Sequence, residues 1–81
     1  TEAYISHMFK EQTGEKLSNY LEKIRIKKAT ELLQENYVID EIVNMTGYQY
    51  KNTFYKAFKR VMNISPGQYR DNFLLDEQKK L

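Results

Sequence analysis

Two stretches of this 81-residue chain repeat one another at an offset of 49 residues, which narrows the possible folds sharply. "YISHMFKEQTGEKLSNY", residues 4–20, lies over "TFYKAFKRVMNISPGQY", residues 53–69. Ile5 falls on Phe54, Phe9 on Phe58, Lys10 on Lys59, Tyr20 on Tyr69 and Ile24 on Phe73. Gly14 falls on Asn63, and these are the two residue types that best tolerate a left-handed helix cap. Each copy reads as helix, left-handed turn, helix. The second copy has a short helical segment before it, at 39–45, whose counterpart in the first would lie upstream of Thr1. The first unit is therefore expected to lack that supporting helix.

Helical periodicity fills in the rest, and no strand pattern competes with it. Residues 2–12 carry Ile5, Met8 and Phe9 on one face, with Thr1 able to cap the start. A long helix follows from about Leu17 to Glu35, a short one over 39–45, and another over 51–62. Ser65 and Pro66 suit the cap and first position of a last short helix, and the tail "LLDEQKKL", which either extends that helix or frays, is given no role. The long helix is apolar on two sides. Leu17, Tyr20, Leu21, Ile24 and Leu32 fall in one sector, and Ile26, Ala29 and Leu33 in another. A surface helix needs only one apolar stripe, so two stripes describe a rod packed between two bodies.

Residues 39–60 read as helix, tight turn at Gly47, helix. Ile39, Ile42 and Val43 face inward, then Phe54, Ala57 and Phe58. That is the helix-turn-helix arrangement, whose second helix enters the DNA major groove with its N-terminal side chains toward the base edges. The outward side chains suit that task. Asn52 can pair with adenine and Lys56 can donate to guanine. Lys51 and Tyr55 can reach bases or phosphates, while Lys59 and Arg60 lie farther along, toward the phosphates.

Composition supports this through its distribution. The net charge of +2 is too small to imply nucleic acid. Residues 1–40 hold six basic against seven acidic side chains, however, and residues 41–81 hold seven against four. No carboxylate occurs from Ile42 to Arg70. The chain has no cysteine, hence no disulfide framework and none of the usual zinc-finger ligand sets, and no cofactor is expected. No apolar run reaches the roughly 20 residues that span a bilayer, and an intracellular, cytoplasmic location is the default. His7, the only histidine, has no companion ligand or nucleophile, so neither a metal site nor an enzyme is expected. Glu22, Glu31 and Glu35 read as i,i+4 partners of lysines on a wet face, and Tyr20, Tyr48 and Tyr69 as core anchors.

Several segments together resemble the C-terminal DNA-binding domain of the AraC/XylS family of bacterial transcription regulators. They are "YISHMFKEQTG", "RIKKATELL", "IDEIVNMTGY", "FYKAFKR" and "ISPGQYR", in order and at the family's spacing from residue 1 to about 73. The resemblance implies an all-α fold of two helix-turn-helix units joined by a long linking helix, with both recognition helices in successive major grooves. On that basis residues 1–15 form the recognition helix of a truncated first unit and 16–36 the linking helix. Residues 37–73 form the second unit and 74–81 a tail.

Carried over by position, Ala3, Ser6 and His7 would read bases in the first unit, flanked by Glu2 and with Lys10 near phosphates. In the second, Lys51, Asn52, Tyr55 and Lys56 would read bases, while Lys59 and Arg60 hold phosphates. The sequence departs from the family where Lys51 replaces a proline or small residue and where Tyr55 is unusually bulky. Ile5, Met8 and Phe9 are expected to expose apolar surface. Double-stranded DNA is the expected partner, with RNA polymerase for the full-length regulator. A dimer could form through a domain outside this chain or through that apolar surface. The competing reading is a protein-binding helical module that docks an acidic partner on its basic face.

Overall fold

The computed structural model describes residues 1–79, which form five α-helices and no strand. These are α1 (Glu2–Thr13), α2 (Leu17–Leu33), α3 (Ile39–Met45), α4 (Lys51–Met62) and α5 (Pro66–Lys79). Their ends have local causes. The Tyr4 N–H donates to the Thr1 hydroxyl at 3.3 Å and opens α1. Gly14, at φ 77°, and Asn63, at φ 67°, close α1 and α4 in the left-handed region. Their N–H groups return to the carbonyls of Lys10 at 2.7 Å and Lys59 at 2.8 Å. Lys10 and Lys59 are themselves partners in the 49-residue offset, so the repeat extends to the cap hydrogen bonds. Gly47, at φ 88°, makes the turn between α3 and α4. Ser65 accepts from the Gln68 N–H at 3.1 Å ahead of buried Pro66 and opens α5.

The core belongs almost wholly to the second unit. Ile26, Ala29, Leu32 and Leu33 of α2 meet Ile42 and Val43 of α3 and Phe54, Ala57 and Phe58 of α4. Tyr37, Ile39, Tyr48, Val61, Met62 and Tyr69 close over them. Phe54 and Phe58 are fully buried, and each contributes about 1.5–3 kcal/mol of apolar transfer.

Arg70 seals the far end of α2. Its guanidinium donates to the carbonyls of Leu33 at 3.0 Å and Glu35 at 3.2 Å, and to that of Tyr37. The last carbonyls of a helix have no partner within it, so one side chain of α5 satisfies the end of α2 and the turn after it. Gln34 donates to the Tyr69 hydroxyl at 3.1 Å beside it. The "GQYR" segment is therefore a clasp on the linking helix.

α1 contributes no buried residue. It leans on α2 through Phe9, whose ring lies 5.0 Å from that of Tyr20, and through half-buried Met8. Ile5 is 58% exposed and Ile24 48%.

The structure corrects three sequence expectations. Leu32 joins the core with Ile26 and Leu33 and does not side with Leu17 and Ile24. Tyr20 is exposed and anchors nothing inside, whereas Tyr48 and Tyr69 do pack on the core. α2 ends at Leu33, because the carbonyls beyond it turn to Arg70. Of the two courses open to the tail, α5 takes the extension, to Lys79, and residues 80–81 lie outside the described residues.

The molecule is long, 50 × 25 × 17 Å, with a radius of gyration of 15.0 Å. A compact chain of this length would have about 12 Å. The excess fits α1, the first half of α2 and the end of α5, which all lie outside the core.

Candidate nucleic-acid interface

α4 is fixed by the face it buries. Phe54, Ala57 and Phe58 are locked in the core, so Lys51, Asn52, Lys56 and Lys59 must point outward, and all four are exposed. Tyr55 is half-buried, its ring 5.9 Å from that of Phe54 in an edge contact. Lys51 is engaged already. Its ammonium lies 3.0 Å from Asp40 Oδ1, in the first turn of α3, and 5.9 Å from the Tyr55 ring centroid. The hydrogen bond to Asp40 and that residue's charge hold the Lys51 ammonium above the usual lysine range. The side chains of Asn52, Lys56 and Lys59 make no hydrogen bond or ion pair among the described residues. They form the open part of the face.

Arg60 is not open. Its Nε donates to Glu22 Oε1 and its Nη2 to Glu22 Oε2, both at 2.9 Å, across 38 residues of chain. The hydrogen bond from Arg60 holds the Glu22 carboxyl below the usual glutamate range, against the opposing effect of partial burial. Glu22 is therefore not the i,i+4 partner of a neighbouring lysine, and the Arg60 guanidinium, expected at the phosphates, is paired to it. Tyr48 lies beside the pair under the Arg25 guanidinium, 5.5 Å from ring centroid to Cζ. Burial, then the Glu22 charge, pushes its hydroxyl up.

The first unit offers the same positions in weaker form. Ala3, His7 and Lys10 are exposed on α1, and Ser6 is half-buried. Ser6, His7 and Lys10 border a groove with Lys16 and Ser18 at the start of α2. At the 49-residue offset, Tyr55, Lys56 and Lys59 border a groove on α4. The register is shared and the charge is not. His7 Nε2 lies 3.0 Å from Glu11 Oε1, and the position of Glu11 is occupied in the second unit by Arg60. Lys16 was missed from sequence. It follows the αL turn at Gly14, and only the folded turn brings it beside Lys10.

Among the described residues, no group of three His, Cys, Asp or Glu is placed to hold a metal ion. No helix there is long and apolar enough to cross a membrane.

A family model described as a helix-turn-helix domain matches residues 1–72. The transcriptional activator RhaR of Pectobacterium carotovorum is 39% identical over 67 residues, which are 82% of this chain and 24% of that protein. The raffinose operon regulatory protein RafR of Pediococcus pentosaceus is 36% identical over 69 residues, 84% of this chain and 25% of the relative. Among solved structures, the C-terminal domain of AraT, a response regulator from Geobacillus stearothermophilus, superposes with a TM-score of 0.82 at 40% identity. That match covers 89% of this chain and 60% of the other. The chain thus spans about a quarter of the length of the curated relatives it matches.

Proposed function

This chain belongs to the AraC-type helix-turn-helix family, and on that premise we propose that it is the sequence-specific DNA-binding part of a transcription regulator. The observation that carries the reading is the outward face of α4. It presents Asn52, Lys56 and Lys59 without partners, on a helix whose opposite face is locked in the core, in a stretch free of carboxylates.

In this reading α4 lies in one major groove with Asn52, Tyr55 and Lys56 toward the bases. Lys51 joins them by exchanging Asp40 for a nucleic-acid acceptor, since an exposed ion pair is easily replaced. Lys59 contacts phosphate. Ala3, Ser6 and His7 of α1 face the next groove, with Lys10 and the newly found Lys16 beside the backbone. Grooves one turn apart are separated by about 34 Å, which the 50 Å length of the molecule accommodates. Arg60 is left out of the phosphate set because both oxygens of Glu22 hold it, whereas Lys51 meets a single oxygen of Asp40. The full-length regulator works in the cytoplasm, with contact to RNA polymerase and dimerisation assigned to the larger protein.

Selection from a random duplex library tests the reading. One enriched site is expected, with affinity that falls steeply as salt rises. Lys56→Ala should weaken binding to that site by about 1–3 kcal/mol and relax one base position. Lys59→Ala should weaken binding to all duplexes more evenly. Binding without sequence preference, unchanged by either substitution, would favour the acidic-partner module and sink the assignment.

A further inference from the structure

We infer that Glu22 and Arg60 form a brace that sets the angle between the two recognition helices, making them positioning residues for the spacing of the DNA site; the inference rests on the DNA-binding reading. Glu22 stands one turn before Ile26, the first residue of α2 that is buried in the core. From Ile26 onward, α2 is held by α3, α4 and α5. Before it, α2 carries α1 and buries no residue in that core, Tyr20, Leu21 and Ile24 are all exposed, and Arg25 reaches over to Tyr48. The orientation of α1 relative to α4 therefore depends on how the free half of α2 leaves the core. Helices of this length bend readily along a gentle curve. The Glu22–Arg60 pair ties that free half directly to the recognition helix of the other unit.

Three features suit it to this task. The contact is bidentate, both carboxylate oxygens meeting two guanidinium nitrogens at 2.9 Å, which fixes direction as well as distance. Its arginine stands in the last turn of α4, so the tie holds the end of the helix away from the base-reading residues. It also lies in a groove of about 370 Å³ that it shares with a second ion pair, Lys23 to Glu15 at 2.6 Å. That second pair joins the turn after α1 to the same free half of α2. Together the two pairs run from α1 through α2 to α4.

The competing role for Arg60 is direct phosphate contact, and the two roles predict opposite behaviour for Glu22. If Arg60 waits for phosphate, removing the Glu22 charge releases it and strengthens binding. If the pair is a brace, removing either member has one and the same effect.

The test uses the full chain as wild type, Glu22→Gln, Arg60→Gln and the double variant. The selected duplex is compared with duplexes carrying one base pair more or fewer between the two subsites. Each change moves one subsite by about 3.4 Å along the axis. Wild type should discriminate against the altered spacings. Each single variant should lose that discrimination by about two- to fivefold, the scale of one exposed ion pair, and the double variant should lose no more than either single one. Thermal melting of the four proteins checks that all are folded. Unchanged spacing discrimination in both single variants overturns the brace. So does tighter binding by Glu22→Gln to every duplex, with Arg60→Gln lowering the salt slope by about one. If wild type enriches no duplex, the DNA reading itself falls and the brace with it. A wild-type site covering a single groove refutes the brace but leaves α4 as a reader.

Discussion

The two halves of the molecule are copies in sequence pattern and opposites in energetics. Phe58 is fully buried among α2, α3 and α5, whereas Phe9, its counterpart at the 49-residue offset, is half-buried and leans on one exposed tyrosine. Phe54 is fully buried and Ile5 is 58% exposed. Arg70 clasps three carbonyls, and its counterpart Leu21 is itself exposed. Equal patterning thus does not bring equal stability. A helical unit of this kind gains its burial from neighbours, and α1 packs chiefly on α2 where α4 packs on α2, α3 and α5.

The largest test of this contrast compares the two phenylalanines. Phe58→Ala should cost about 3–5 kcal/mol, enough to unfold much of a domain this small. Phe9→Ala should cost about 1 kcal/mol and leave the α2–α5 core folded. Urea titration followed by circular dichroism gives both numbers. Similar costs for the two would mean that α1 is far better held than its burial indicates.

A smaller effect should come from the clasp, which the first unit lacks. Arg70→Ala removes charge-assisted hydrogen bonds to the end of α2 and should cost about 1.5–3 kcal/mol. Amide exchange should quicken for residues 31–37 and stay unchanged across α1. Faster exchange in α1 would show that the halves are coupled more tightly than the geometry implies.

The smallest effect concerns the link between the halves. The folded-state value of Glu22 is lowered by the Arg60 hydrogen bond. Its contribution to stability is therefore complete above the unfolded glutamate value of about 4.3. That contribution is lost as pH falls through the lower folded value. Wild type should melt slightly higher than Glu22→Gln at pH 7, and the gap should close in the acid range below about pH 4. A gap of constant size would mean that the Glu22 charge does not matter to it.

Much of this architecture was legible because it is local. Gly14, Gly47, Asn63 and the Ser65–Pro66 start each fix backbone geometry at one place, and the helix bounds of α3 and α4 follow from them. The inward set Phe54, Ala57 and Phe58 was legible from periodicity, and with it the outward set that forms the candidate site. What escaped was contact between distant residues. Glu22 and Arg60 are 38 positions apart, and Arg70 and Leu33 are 37 apart. On a helical wheel Glu22 has nearer lysines, and nothing local assigns it to the other unit. Leu32 was placed on the wrong side because it sits at the edge between two apolar sectors, where only the bodies packed on the helix decide. Lys16 escaped because a turn residue has no periodic face.

The Arg70 clasp also has a consequence for how this chain is made. The end of α2 is finished by a side chain synthesised 37 residues after Leu33. At about 5–20 residues per second, translation takes roughly 2–7 s to add that segment. Until then the nascent helix has open carbonyls at its end, while α3 and α4, the partners of Ile26, Ala29 and Leu33, are added within the interval. The end of α2 is thus completed only once Arg70 has been added. A premature stop ahead of Arg70 would yield a chain that keeps every recognition residue but leaves the end of the helix joining them unclasped.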